Sequence, residues 1–228
     1  MDITIILLHG LGAHPVTLWP LELYLRWCGY TAVHRVSYPV DQLSTQDAVD
    51  HVSRRIAELT SARQIVVVGQ SFGGIVGNRL HERGWDVRLG VWIGSPLHGA
   101  RLLTQLSSAL PARVWDFVWK PPYDYLMTKS REPVPPHDVH TISMGWPLWN
   151  SFDGCVYADE ATLDPRRHTH LGWADHRTVF ANPRLWMLVA RLIRERADLA
   201  PRHFDAVEKR ESTKTKDPHQ DQDQDQEF

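Results

Sequence analysis

The stretch Val66–Leu80, VVVGQSFGGIVGNRL, decides how the chain is read. It opens with apolar, β-branched residues of the kind found in a strand buried on both faces, and Ile75–Leu80 closes it as a helix. Between the two, Gly69, Gly73 and Gly74 crowd around Ser71. A plain turn needs one such glycine, or two. Gly-x-Ser-x-Gly at a strand-to-helix corner is the nucleophile-elbow pattern, in which the serine occupies a strained turn and its neighbours must be nearly free of side chain. The helix that follows turns its positive end towards the corner and favours negative charge developing there. The plainer reading is a glycine-rich turn with an idle serine. Its flanks, Ile65–Val68 before and Ile75–Leu80 after, are those the elbow requires.

The same alternation runs outward along the chain. Ile3–Leu8, Ala32–Ser37, Leu89–Ile93 and Val139–Met144 read as further short strands, and a last one holds His168 and His170. Thr45–Leu59 places Val49, Val52, Ile56 and Leu59 on one helical stripe, with Ser44 and Asp47 as a capping start. Asn182 and Pro183 open a final helix whose buried stripe is Leu185, Leu188, Val189 and Leu192. Strand and helix in this order predict an α/β fold, a mostly parallel sheet flanked by helices, over residues 1–200. Two segments break the pattern. Residues 101–136 form an aromatic-rich insertion with Trp115, Phe117, Trp119, Tyr123, Tyr125 and Met127. Two readings of it stay open: a lid or acyl groove over a site, or tryptophans that pin the insertion to the sheet. The tail, 205–228, ends in DPHQDQDQDQEF and has almost nothing to bury, so disorder is expected there.

Composition removes several classes of function. With 228 residues and 43% hydrophobic content, one domain can build a sizeable core. A formal net charge of −2 offers no electrostatic footprint for nucleic acid. Two cysteines, Cys28 and Cys155, form neither a disulfide framework nor a Cys-x-x-Cys metal spacing. No metal and no cofactor are expected. The opening MDITIILLHG lacks a basic region and a cleavage site, and its apolar run is too short to cross a membrane. A cytoplasmic protein without a transmembrane segment is the expectation, with contact to a membrane surface left open. The first strand leads into HGLGAHP rather than Gly-x-Gly-x-x-Gly, which argues against a dinucleotide site.

A nucleophilic serine needs a base, a group to orient that base, and donors for an oxyanion. The loop His9-Gly10-Leu11-Gly12 follows the first strand, and the backbone N–H groups of Leu11 and Phe72 are the expected oxyanion donors. His9 reads as a hydrogen-bonded support of that loop rather than as a base. The acid belongs on a loop after a late strand, and Asp153, with Gly154 to permit the turn, is the choice. Asp159, Glu160 and Asp164 read as surface or helix-start charges. Among thirteen histidines, His176 stands in a loop ahead of the last helix and is the expected base, with His170 in reserve. The order Ser71, Asp153, His176 is the one found in α/β-hydrolases, unlike that of the chymotrypsin or subtilisin types.

Five pieces carry a family resemblance: LLHGLG at the first strand, VVGQSFGG at the elbow, GSPLHGA at 94–100, DGCV at 153–156 and ADHRTVFANPRLW at 174–186. With these the chain resembles the α/β-hydrolase superfamily on its lipase and esterase side, and is similar to small bacterial triacylglycerol lipases over about residues 3–196. The resemblance implies a hydrolase sheet, the acid in the fourth piece and the histidine in the fifth. It also implies a serine hydrolase of carboxylic esters, acyl lipids among them, working through an acyl-enzyme. A thioesterase or amidase would use the same residues, and a non-catalytic relative would keep the fold as a binding module. Three positions depart from the family pattern. Gln70 stands where histidine is frequent, Leu97 precedes His98, and Arg177 brings a charge to a loop that is often apolar.

Overall fold

A computed structural model describes residues 3–109, 126, 132–146 and 151–197. The aromatic residues from Trp115 to Tyr125, Met127, and the tail expected to be disordered lie outside the described residues. Six strands form one sheet: β1 (Thr4–Leu8), β2 (Val33–Val36), β3 (Gln64–Gln70), β4 (Asp86–Ile93), β5 (Asp138–Gly145) and β6 (His168–Gly172). Their order is β2-β1-β3-β4-β5-β6 and every pairing is parallel. Strands alternate their side chains between two cores, as the period of two requires. Ile5, Leu7, Val66, Val68, Val91 and Ile93 enter one; Ile6, Leu8, Ile65, Val67 and Trp92 enter the other.

Helices cover both faces. Helices α1 (Trp19–Trp27) and α5 (Pro183–Arg196) send Leu21, Leu25, Leu185 and Leu192 into the first core. Helices α2 (Thr45–Leu59) and α3 (Phe72–Asn78) fill the second with Val49, Val52, Ile56, Ile75 and Val76. The caps are the expected ones: Ser44 accepts from the Asp47 amide, and Asn182 accepts from the Arg184 amide. Helix α4 (Arg101–Ala109) begins the insertion. Several boundaries differ from the sequence reading, two of them for a visible reason. β4 starts at Asp86, because Asp86 and Val87 pair with Gln64 and Ile65 of the neighbouring strand. α3 ends at Asn78, and Leu80 belongs to a 3-10 turn closed by Gly84 at φ +79°.

Chain direction sets where a ligand can sit. From β1 the chain goes to β2 on one side and then returns past β1 to β3, β4, β5 and β6 on the other. The carboxyl ends of β1 and β3, where Leu8 registers with Gly69, therefore flank the topological switch point, the crevice that open α/β sheets use for ligands.

Candidate active site

The elbow occupies that switch point. Ser71 has φ 54° and ψ −123°, a backbone region that costs a non-glycine residue about 1–3 kcal/mol. Its amide donates to the Ile93 carbonyl at 2.9 Å, which continues the β3–β4 ladder into the turn. The glycines are required by contact. A Cβ on Gly69 would lie 2.5 Å from the Gly73 carbonyl oxygen, and one on Gly73 would lie 2.6 Å from the Leu8 carbonyl oxygen. Gly10 passes so close that its Cβ would lie 2.7 Å from the Ser71 Cβ. Strand β1, its loop and the elbow are thus pressed backbone to backbone.

The loop after β1 is held from several sides. The Ala13 amide donates to the Gly10 carbonyl, and Gly12 at φ +64° takes the left-handed position of this turn. The Gly12 amide donates to Asp41 Oδ1 at 3.3 Å. His9 is buried against the Tyr38 ring, and Nδ1 donates to the Gly10 carbonyl at 3.0 Å. The Tyr38 hydroxyl donates to the His9 carbonyl at 2.6 Å. Burial pushes the His9 pKa below its usual value and keeps the ring neutral. Leu11 stands inside the turn and Phe72 is the first residue of α3, and among the described residues neither amide meets a backbone acceptor.

Asp153 and His176 come together on two other loops. His176 Nδ1 donates to Asp153 Oδ2 at 2.8 Å, and the His176 amide donates to the Asp153 carbonyl at 3.0 Å. Asp153 Oδ1 accepts the amides of Cys155 and Val156 at 2.9 and 2.7 Å. Gly154, at φ +96°, makes that tight turn accessible. Both side chains are almost withdrawn from solvent, with Asp153 1% and His176 8% exposed. A proton on Nδ1 leaves the lone pair on Nε2, the tautomer a general base requires. Ser71 and His176 both line one cavity of about 300 Å³ at the switch point, and Leu11 lines it with them. Its remaining wall is mostly apolar, from Pro96, Ala100, Leu102, Leu103, Leu126 and Val156.

No protein-family model and no curated protein matches the sequence. Solved structures do. A lipase of Bacillus licheniformis in its mature form superposes with a TM-score of 0.65 at 16% identity, covering 83% of this chain and 92% of the lipase. A metagenomic carboxyl esterase gives 0.65 at 16% identity, covering 87% of this chain and 76% of its own. An N-acyl homoserine lactonase complexed with N-butanoyl homoserine gives 0.58 at 14% identity, with 87% and 91% covered. The chain has the α/β-hydrolase fold.

Within the α/β-hydrolase fold, several positions that serve this site carry no signal in a linear reading. Gln70 Nε2 donates to the His176 carbonyl at 2.7 Å across 106 residues of sequence, tying the elbow to the histidine loop. Gly94, at φ +55°, lies beneath the buried pair: a Cβ there would be 2.5 Å from Met144 Cε and 3.2 Å from His176 Nδ1. Asp175 accepts the Arg177 and Thr178 amides on Oδ1, which shapes the turn that presents His176. Gly94 could be suspected from its place at the head of GSPLHGA; the Gln70 contact could not.

The other candidates stand elsewhere. His168 and His170 lie on β6, where Ser143 Oγ bonds His168 Nε2 at 2.9 Å and His170 Nδ1 at 2.8 Å. The His98 amide donates to the Glu160 carbonyl. Glu160, expected as a surface or helix-start charge, is not at the surface. It is 2% exposed, accepts the Arg101 amide at 2.6 Å and the Tyr157 amide at 2.8 Å, and so caps α4 from a distant loop. Among the described residues no group of histidine, cysteine and acidic side chains is arranged to hold a metal ion, and no helix is long and apolar enough to cross a membrane.

Proposed function

We propose that the protein is a serine hydrolase of carboxylic esters, acyl lipids included, with Ser71, His176 and Asp153 as its catalytic triad. The observation that carries this reading is the buried His176–Asp153 pair, whose histidine lines the same mostly apolar cavity as a serine held at φ 54°. His176 Nε2 takes the Ser71 proton as Oγ attacks the ester carbonyl, and later returns it to the leaving alcohol. Asp153 keeps the imidazole in its productive tautomer and stabilises the imidazolium as it forms. The Leu11 and Phe72 amides receive the oxyanion, a contribution of about 2.7–4 kcal/mol per donor in sites of this type. Water activated by His176 then releases the acid. His9, Gly10, Gly69 and Gly73 act through geometry, holding the loop and the elbow against each other.

The solved neighbours include a lipase, a carboxyl esterase and a lactonase, all of which cleave an acyl–oxygen bond, and this supports the ester class. Hydrolysis of p-nitrophenyl butyrate is the test. The native protein turns it over, and Ser71→Ala lowers kcat by about 10⁴-fold or more. Equal rates for the two proteins would remove Ser71 from the reaction.

A further inference from the structure

The cavity around Ser71 is mostly apolar, with Thr17, Gln70, Ser71, His176 and Arg177 as the polar residues of its described lining. Among its described lining residues only Arg177 carries a permanent charge. Arg177 directly follows His176, and its side chain is exposed at the mouth. Its backbone amide is engaged with Asp175, but no carboxylate lies within ion-pair distance of its guanidinium among the described residues. The nearest acid in sequence is occupied: Asp175 turns both carboxylate oxygens to the Arg177 and Thr178 amides and the Thr178 hydroxyl. Other arginines do meet acids, as Arg79 does with Glu132 and Arg101 with Glu160. A guanidinium that meets no acid among the described residues, beside a mostly apolar cavity, is a donor set suited to a planar anion.

Resting on the ester reading above, we propose that Arg177 selects amphiphilic esters that bear an anionic group, carboxylate or phosphate, with the apolar part in the cavity and the anion at its mouth. Arg177 is a specificity residue in this account and takes no part in bond cleavage. Because the guanidinium is exposed, its effect is screened by salt and modest in size.

The experiment compares kcat/KM for matched ester pairs at pH 7.5 and low ionic strength. One pair puts the carboxylate on the acyl side, p-nitrophenyl hydrogen adipate against p-nitrophenyl hexanoate. The other puts it on the alcohol side, 3-carboxyphenyl butyrate against phenyl butyrate. The anionic-to-neutral ratio is read within each protein, so any general loss of activity in a variant cancels. We expect the native protein to favour the anionic member of one pair by about 3- to 10-fold, as an exposed charge-assisted contact allows. Arg177→Gln should bring that ratio to about one, Arg177→Lys should keep part of it, and Arg177→Glu should invert it. The pair that responds tells which side of the ester faces the arginine. Ratios that are the same in native and Arg177→Gln proteins overturn the inference while leaving the ester reading intact. A native protein inert towards all four esters overturns the ester reading itself, and the inference with it.

Discussion

Asp153 shows how much one atom decides. Asn at this position keeps an oxygen for the Cys155 and Val156 amides, so the loop holds. It also turns an NH₂ group towards His176 Nδ1, which then has to accept, and the lone pair moves off Nε2. Asp153→Asn should therefore fold normally and lose about 10⁴-fold in kcat with little change in KM. Steady-state kinetics beside a circular dichroism melt would check it; a loss under tenfold would separate the pair from the reaction. Gly73 gives the complementary case, where the fold fails rather than the chemistry. A Cβ 2.6 Å from the Leu8 carbonyl oxygen has only backbone to push against. Gly73→Ala should cost about 3 kcal/mol, the upper end of the usual range for overpacking, and urea unfolding measures it. Ser71, Gly69 and Gly73 were legible in the sequence because their steric demand is local, carried by five consecutive residues. Gln70 and Gly94 were not, because what they touch is set by loops far along the chain.

At the scale of elements, the strands could be read because parallel burial on both faces leaves unbroken apolar runs, as in Ile65–Val68. Helix α2 could be read from its caps and its stripe. Helix α1 could not: Trp19, Leu23 and Trp27 are exposed beside buried Leu21 and Leu25, so the helix has no clean polar face to give its period away. The loops around the insertion depend on buried carboxylates that look like surface charges in a linear reading. Glu132, 1% exposed, returns the chain from the insertion and meets Arg79 through two nitrogens at 3.2 and 3.4 Å. Burial holds the Glu132 pKa above its ordinary range even with Arg79 beside it. Desolvation therefore opposes this pair, and the balance predicts a specific pattern. Glu132→Ala, which takes the carboxylate away from Arg79, should cost about 3–5 kcal/mol, while the double substitution Arg79→Met/Glu132→Met should cost less than the single one. Urea denaturation of the three proteins decides it. A double variant worse than the single would mean that the pair is net stabilising.

Across the whole molecule, buried histidines govern the response to acid. Burial is the main cause pushing His137 and His140 down to about 4, aided by His81 for the first and Arg196 for the second. His9, His34 and His168 move in the same direction, again mainly by burial. With folded values below the ordinary 6.5, the unfolded chain takes up protons that the fold refuses. Stability is then complete above about pH 6.5 and falls as the pH drops towards 4. Glu132, shifted upward, works against this trend but is a single group. The melting temperature should decline steadily from pH 7 to 4.5, and His140→Gln should flatten the decline; a flat profile for the native protein would contradict the assignment. The same molecule places a strained serine, a buried histidine–aspartate pair and an apolar cavity at the switch point of one parallel sheet. The most direct test of what they do together is the intact mass of the native protein and of Ser71→Ala after treatment with a fluorophosphonate. One phosphonyl adduct is expected on the native protein and none on the variant. No adduct on folded native protein, or the same adduct on both, would contradict it.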